Sequence, residues 1–268
     1  AGADALIVSM LCNHNSNYRA LFNNNIKPHV YTALAMFQGK WDKESPGLSA
    51  TDALKIPINL LNTVSGWPEL RDYVKNSKTE YYIGKKVGHS CNYGEQANTL
   101  IGDILNETDG KLILTRNQGE EYITAYHRLF PEIQRDFQAY VKSSLQKNRT
   151  LRNLFGYPIT FIGVWNDDLF RKAYAWLPQS TVAIITALAI TEIHERLLAR
   201  DPLLNGVDLL QDGHDSILLQ SPSDNVAAVA HEIQKHINRQ MINPNGETFT
   251  MKSEINYSDK NWKNMIPI

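Results

Sequence analysis

Cysteine is scarce in this sequence, and its positive and negative charges nearly cancel. Only Cys12 and Cys91 occur among the 268 residues, and there is no CxxC pair. Two thiols do not make a disulfide framework, so the sequence predicts a reducing compartment, the cytoplasm. The net charge of -1 argues against a protein that coats nucleic acid, because such proteins are usually basic overall.

Long apolar runs are also missing. The longest, at residues 182–190, includes Thr186 and is shorter than the roughly 20 residues that a helix needs to cross a bilayer. It predicts a buried helix and no membrane partner. With 43% hydrophobic and 21% charged residues, the chain can bury the core of one large domain or of two smaller ones.

The sequence begins directly in an apolar run. Residues 1–10 lack the polar lead of a frayed chain end and are typical of a strand. We therefore expect another segment, covalently attached or separate, to precede them.

Hydrophobic spacing along the rest of the chain predicts helices and short strands without βαβ regularity. This order favours the α+β class over a doubly wound sheet. The predicted helices are 29–37, about 80–105 after a capping box at Ser77–Glu80, 123–141 with a break at Pro131, 178–198 and 227–241. The predicted non-helical segments are a loop at 41–49, short strands within 154–164, a hairpin at about 207–220 and a final strand at 249–255.

The most distinctive local motif is the hairpin. Apolar residues flank Asp212 and Gly213, a pair suited to a tight turn because both positions tolerate a positive φ. Such a turn would lift His214 and Asp215 to an edge where a carboxylate can reach a metal ion. A polar turn without chemistry has the same signature.

A second motif lies on the predicted helix 80–105. Lys85, His89 and Tyr93 follow each other at intervals of four, so on a helix they share one face. A cation, an imidazole and an aromatic ring in one stripe suit a triphosphate followed by a sugar and a base. Gly84 and Gly88 each cost about 1 kcal/mol inside a helix, which close approach to a ligand or a mobile helix would explain. A solvated Lys/His face with a half-buried tyrosine is the alternative.

A third motif spans residues 171–181. Basic and aromatic residues, Arg171 among them, precede a helix predicted to start near Pro178, whose free N–H groups would add positive potential. Gln179 would then be able to read a base or sugar edge. An ordinary helix start is the alternative.

Taken in order, these motifs resemble the family-A DNA polymerases, the group of bacterial DNA polymerase I and its phage relatives, over essentially the whole chain. The matching segments are the later half of motif A at Ala1–Asp4 with Leu6–Val8, the segment before the fingers at Lys27–Phe37, motif B from Lys85 to Gly94, the Thr-x-x-Gly-Arg hairpin at Leu154–Gly156, the Arg/Gln pair at Arg171 and Gln179, motif C at Gly213–Asp215, and the Asn-Trp pair at Asn261–Trp262.

The resemblance implies a right-hand polymerase architecture. An antiparallel palm sheet would carry the motif C hairpin, and helices would form the fingers. Residues 1–28 and 166–268 would belong to the palm, and residues 29–165 mostly to the fingers.

The resemblance also implies roles for the residues of motif C and of the Arg/Gln pair. Asp215 would bind metal, and His214 would contact the primer terminus. Arg171 and Gln179 would touch primer or template in the minor groove. Asp4 would crowd the sugar 2′ position and so select deoxynucleotides.

The nucleotide would be held mainly by motif B. Lys85 would contact the triphosphate, and Tyr93 would pack near the templating base. His89 takes the place of the usual aromatic residue on the incoming sugar. Tyr81 stands where the family has an arginine, for which Lys86 would partly compensate.

The expected cofactors are two Mg²⁺ ions, and the expected partners are primer-template DNA and deoxynucleoside triphosphates. The motif A aspartate would lie just upstream of Ala1, so we expect an N-terminal piece that supplies this residue, the thumb and possibly an exonuclease. Without it, a lone Asp215 cannot hold two ions, and the chain is expected to be inactive.

Two further departures from the family pattern concern the predicted site. Ser216 replaces a second acid that many members carry after the motif C aspartate, and Tyr157 replaces the arginine after Gly156.

The divergent motif B suggests a phage-type protein, which would act in the cytoplasm of a bacterial host. A fragment like a single-subunit RNA polymerase and a catalytically inactive, DNA-binding polymerase-like subunit are the alternatives, and Asp4 argues against the first.

Overall fold

A computed structural model describes residues 2–45 and 47–268. Ala1, in the motif A match, and Pro46, in the predicted loop, lie outside the described residues. The chain divides into two compact units. The α-helical unit comprises Ala5–Leu151 and Ile159–Trp176, and the hairpin unit comprises Ala1–Asp4, Arg152–Pro158 and Leu177–Ile268.

Helices dominate the described residues. The α-helices are α1 (Ala3–Met10), α2 (Asn17–Asn23), α3 (Pro28–Met36), α4 (Gln38–Glu44), α5 (Ala50–Lys55), α6 (Trp67–Asn76), α7 (Lys78–Asn92), α8 (Ala97–Glu107), α9 (Arg116–Leu129), α10 (Ala139–Asn148), α11 (Asp167–Leu198) and α12 (Val226–Ile237). Short 3₁₀ turns occur at Ile58–Thr63, Pro202–Leu204 and Trp262–Asn264, and a π-helical turn at Ile133–Gln138.

The strands pair two by two. They are β1 (Thr150–Arg152) with β2 (Pro158–Thr160), β3 (Asp208–Asp212) with β4 (Ile217–Gln220), β5 (Gln240–Ile242) with β6 (Thr248–Thr250), and β7 (Asn256–Tyr257) with β8 (Ile266–Pro267). Helices with small antiparallel sheets agree with the α+β class. The described strands do not join into a wider palm sheet, and the palm and fingers boundaries remain predictions.

The predicted N-terminal strand is wrong, because the segment forms helix α1. Ile7 and Val8 are fully buried, and the Ser9 hydroxyl donates a hydrogen bond to the Leu6 carbonyl at 2.7 Å. A short apolar run does not distinguish a strand from a buried helix by its spacing. The predicted loop at 41–49 is also wrong in its first part, which belongs to α4 and buries Trp41.

The predicted helix 80–105 is two helices. α7 ends at Asn92, and Gly94 takes a φ of 73°, which an L side chain rarely adopts. A Cβ at Gly94 would also lie 3.1 Å from the ring of Tyr174. Ser77 does precede α7, but its hydroxyl binds the Glu80 carboxylate and makes no hydrogen bond to a backbone N–H. The predicted capping box is therefore wrong in its geometry.

The break at Pro131 is confirmed. α9 ends at Leu129, and the π-helical turn leads into α10. The helix predicted for 227–241 is confirmed as α12 but ends at Ile237, since β5 begins at Gln240. The final strand predicted for 249–255 is limited to β6. Of the short strands predicted within 154–164, β2 lies inside the segment and is confirmed, whereas its partner β1 lies before it.

Helix α11 begins at Asp167, eleven residues before the predicted start, and Pro178 lies inside it. Pro178 therefore offers no helix N-terminus, and the positive potential predicted there is absent. By length and composition alone, α11 is the one described helix that would be able to cross a membrane. Half of its most apolar window is buried within the protein.

A buried polar network ties together the core of the α-helical unit. Asn92 donates from Nδ2 to the Tyr18 hydroxyl at 2.9 Å, and the Tyr126 hydroxyl donates to Asn92 Oδ1 at 2.8 Å. Gln138 donates to the carbonyl oxygens of Cys91 and Asn92. The end of α7 is thus fixed by hydrogen bonds, and the satisfied polar groups make its position specific.

Candidate functional site

The candidate metal ligand stands on the β3–β4 hairpin of the hairpin unit. Asp212 pairs with Ile217, and the turn consists of the four residues 213–216. The residue with positive φ is His214, at 67°, and not the predicted pair of Asp212 and Gly213. His214 and Asp215 are both exposed at the tip, as the motif predicts.

Hydrogen bonds fix the backbone of this turn. The Gly213 N–H donates to the Ser216 carbonyl at 2.8 Å, and the Asp215 N–H donates to the Gly213 carbonyl at 2.9 Å. The Asp212 carboxylate accepts from the His214 N–H at 3.0 Å. None of these bonds involves the side chain of Asp215. The backbone that carries its carboxylate is therefore held in place by the turn.

Sequence reasoning misses the residue that anchors the tip. Thr186, on α11, shares its one hydroxyl proton between the His214 carbonyl at 3.0 Å and the Val182 carbonyl at 3.3 Å, with the shorter bond to His214. The only signal for it in the sequence is a hydroxyl in the middle of an apolar helical run, where a buried polar group needs a partner. Thr186 is therefore a positioning residue for the hairpin.

Replacing Thr186 with valine tests that role. Valine keeps the shape but leaves the His214 carbonyl without this donor, and we expect a loss of about 1 kcal/mol in stability. The DNA synthesis that the sequence resemblance implies should fall a few-fold, because the Asp215 backbone is held less firmly. Thr186→Ser, which keeps the hydroxyl, should restore most of the rate. An unchanged rate for Thr186→Val would contradict the positioning role.

The candidate nucleotide-binding stripe lies at the end of α7 in the α-helical unit. Lys85 and His89 are exposed on the helix, whereas Tyr93 is its C-terminal cap and only 5% exposed. The His89 and Tyr93 rings meet edge to face with centroids 4.7 Å apart. The stripe therefore presents a cation and an imidazole to solvent, with the tyrosine ring packed beneath the imidazole.

The neighbouring Lys86 is engaged elsewhere. It forms an ion pair with Glu107, which also accepts from the Tyr82 hydroxyl at 3.0 Å. Burial and this carboxylate raise the pKa of Tyr82 to about 12. Tyr81, which the sequence resemblance aligns with an arginine, packs edge to face on His29 with centroids 6.3 Å apart.

The two glycines of α7 permit helix packing rather than ligand approach. A Cβ at Gly84 would lie 2.9 Å from the backbone nitrogen of Ala33 and from the carbonyl oxygen of His29 on α3. A Cβ at Gly88 would lie 3.6 Å from the Tyr126 ring, which is an ordinary contact. Gly84 is thus required by the close approach of α3 and α7, and Gly88 is not.

The side chain of His29, which lies beneath the stripe, is expected to make the free energy of unfolding depend on pH. Burial, and then the positive charge of Lys85, lower the pKa of His29 from 6.5 to about 4. Below pH 6.5 the unfolded chain takes up a proton that the folded chain does not, so stability falls as the pH drops from 6.5 towards 4. Between about pH 7 and pH 5.5 the expected loss is about 1 kcal/mol.

Urea unfolding of the wild type and of His29→Gln at both pH values measures this contribution. The variant should lose less stability on acidification than the wild type, by about 1 kcal/mol. Equal losses would show that other groups account for the acid sensitivity.

The remaining predicted residues are divided between the two units. Asp4 is half-buried in the first turn of α1 and belongs to the hairpin unit. Arg171 belongs to the α-helical unit, where it pairs with Asp168. Gln179 is exposed on the part of α11 that belongs to the hairpin unit.

Comparisons with known proteins show the fold. The chain is similar to the solved structure of the POL domain of Pol1 from M. smegmatis in complex with DNA primer-template and dNTP, with a TM-score of 0.59 and 15% sequence identity. The match covers 89% of this chain and 35% of that one. No family model and no curated protein sequence matches the chain. The chain thus has the fold of part of a DNA polymerase domain.

Proposed function

We propose that this chain carries out template-directed DNA synthesis, adding deoxynucleotides to a primer 3′ end by two-metal phosphoryl transfer. The observation that carries the proposal is the polymerase-domain fold, with the His214–Asp215 pair exposed at the tip of a hairpin. We further propose a family-A, phage-type enzyme that acts in the cytoplasm of a bacterial host.

In the hairpin unit, Asp215 is proposed to bind metal and His214 to contact the primer terminus. Gln179 would touch the minor groove. Asp4 would select deoxynucleotides by crowding the 2′ position. The exposure of Asp215, His214 and Gln179 supports these roles, because each side chain is open to DNA or to an ion.

The described residues supply part of the proposed metal site. Mg²⁺ prefers oxygen ligands, which a carboxylate supplies, so Asp215 suits one position. Within residues 2–45 and 47–268, no group of three or more His, Cys, Asp or Glu side chains could hold an ion. When bound, two ions would stabilise the attacking and leaving oxygens. The described residues supply only part of the ligands that such a pair needs.

We therefore propose a companion segment that supplies the motif A aspartate and the thumb, and possibly an exonuclease. It would be either the preceding part of a longer chain or a separate polypeptide. The reason is chemical: one carboxylate cannot hold two divalent cations about 3.5–4 Å apart.

In the α-helical unit, exposed Lys85 is proposed to contact the triphosphate and His89 to pack on the incoming sugar. Tyr93 supports the His89 ring, and its packing near the templating base is proposed for the DNA-bound state. Lys86 would add positive charge despite its pairing with Glu107, and Arg171 would contact primer or template.

Primer extension with Mg²⁺ tests the proposal. A labelled primer-template is incubated with this chain, with and without a companion that carries the motif A aspartate, and with deoxynucleotides or ribonucleotides. We expect extension only with the companion and only with deoxynucleotides. Efficient ribonucleotide addition would instead indicate an RNA polymerase.

An inactive DNA-binding subunit is the second candidate. The incomplete ligand set and Ser216 in place of a second acid favour it. Tight DNA binding without Mg²⁺-dependent nucleotide addition, even with the companion present, would support this function over synthesis.

A further inference from the structure

Five side chains of the α-helical unit form a cluster, which we call the aromatic ladder and which the roles above do not require. Trp165 stacks on Phe170 with ring centroids 5.3 Å apart and planes inclined by 14°, and Phe170 stacks on Tyr174 at 6.4 Å and 22°. The guanidinium carbon of Arg149 lies 4.6 Å from the Trp165 ring centroid. Lys142 Nζ lies 5.5 Å from that of Phe170. The stacked rings are therefore flanked by two cations.

The ladder runs from the core of its unit to the solvent. Tyr174 is 4% exposed, whereas Trp165 is 44% exposed. Arg149 donates hydrogen bonds to the carbonyl oxygens of Gly163 at 2.7 Å and Phe161 at 3.3 Å, in the loop that leads to Trp165. The Trp165 ring is thus held at the surface by stacking on rings that reach the core and by a loop that Arg149 fixes.

The segments that carry the aromatic ladder are more positively charged than the chain as a whole. Residues 139–151 and 159–176, which belong to the α-helical unit, contain five Lys or Arg residues and two Asp residues, a net charge of +3, although the whole chain has a net charge of -1. One of the two acids, Asp168, is already paired with Arg171. The positive charge is complementary to a phosphate backbone.

An exposed ring among cations favours one class of ligand. Single-stranded nucleic acid is bound by aromatic rings on which unpaired bases stack, combined with cations along the backbone. A duplex keeps the faces of its bases inside the stack and cannot use such a ring. The flanking side chains of Ile162 and Val164, 92% and 76% exposed, would instead suit a protein partner, but they do not explain the two cations.

We propose that the aromatic ladder binds single-stranded nucleic acid, with one unpaired base stacked on the exposed part of Trp165. Arg149 and Lys142 pair with the adjacent phosphates. Binding of a single strand does not depend on the proposed function. Only the identity of that strand rests on the proposed function, under which it would be the unpaired part of the template.

Fluorescence anisotropy of a labelled oligo(dT), titrated with the full chain, tests the proposal. Base stacking on an aromatic residue is worth enough that Trp165→Ala should bind about 5- to 150-fold more weakly. Trp165→Phe, which keeps a ring, should retain most of the affinity. Tyr73→Ala removes another partly exposed ring of the same unit and should bind as the wild type does.

The salt dependence tests the cations separately. For single strands, each phosphate contact contributes about 0.7 to the slope of log K against log salt, so Lys142→Ala should lower that slope by about 0.7. Circular dichroism confirms that each variant is folded. Unchanged affinity of folded Trp165→Ala would overturn the proposal. So would a loss of companion binding by this variant in a separate binding measurement, with its oligo(dT) binding intact, since that result assigns the surface to a protein.

The anisotropy assay contains no nucleotide, Mg²⁺ or companion. If oligo(dT) binding depends on Trp165 but no primer is extended, the proposed function is refuted and the ladder proposal is not. If a primer is extended but Trp165→Ala binds oligo(dT) as the wild type does, the ladder proposal alone is refuted.

Discussion

Replacing Asp215 with asparagine is expected to reduce the proposed DNA synthesis, measured with the companion present, about 1,000-fold or more. Asparagine has almost the same shape as aspartate, and none of the hydrogen bonds that fix the turn involves the Asp215 side chain. The change therefore removes a negative charge and leaves the hairpin in place. A metal ligand contributes several kcal/mol of transition-state stabilisation, and about 4 kcal/mol corresponds to a factor of 1,000 in rate.

Asp212→Asn is the matched control. Asp212 is also exposed and lies three residues from Asp215, and asparagine at this position keeps an oxygen to accept from the His214 N–H. Its loss of charge should change the rate by less than about tenfold, because Asp212 is not one of the proposed metal ligands. Equal losses in the two variants would point to a general charge effect of the turn rather than to a ligand.

Gly84→Ala is expected to destabilise the α-helical unit by about 2 kcal/mol. The new Cβ would lie 2.9 Å from backbone atoms of Ala33 and His29, and backbone does not retreat as a flexible side chain can. Overpacking costs about 1–3 kcal/mol and occasionally more, and contact with rigid backbone places this site at the upper end, about 3 kcal/mol. Alanine returns about 1 kcal/mol in helix propensity, which leaves a net loss of about 2 kcal/mol.

Gly88→Ala separates packing from propensity. It lies one turn further along α7, where the Cβ would meet the Tyr126 ring at 3.6 Å. Without a clash, alanine should stabilise the unit by about 0.5–1 kcal/mol. Urea unfolding followed by circular dichroism measures both midpoints. A Gly84→Ala variant as stable as Gly88→Ala would contradict the close approach of the α3 and α7 backbones at Gly84.

The hairpin is predictable from the sequence because its signals are local. A polar dipeptide between apolar strands predicts a turn, and the β3–β4 hairpin lies there. The form of the turn is not predictable in the same way, since the positive φ falls on His214 and depends on the hydrogen bonds around it. Thr186, which supports the tip from a different element, cannot be placed without the fold.

The wrong predictions share a physical cause: short-range patterns do not report long-range packing. Residues 3–10 form a helix because the fold buries them, although their apolar run also suits a strand. Pro178 suggests a helix start, but the helix is already established eleven residues earlier and continues through it. Gly84 suggests the approach of a ligand, whereas a neighbouring helix explains it.

The most direct test of template-directed synthesis is the addition of a single nucleotide. The chain and its companion are mixed with a primer, Mg²⁺ and one deoxynucleotide at a time, on four templates that differ only in the first unpaired base. We expect each template to be extended by its one complementary deoxynucleotide, and the product to disappear with Asp215→Asn. Extension that ignores the template base, or that persists unchanged in Asp215→Asn, would contradict the proposed function.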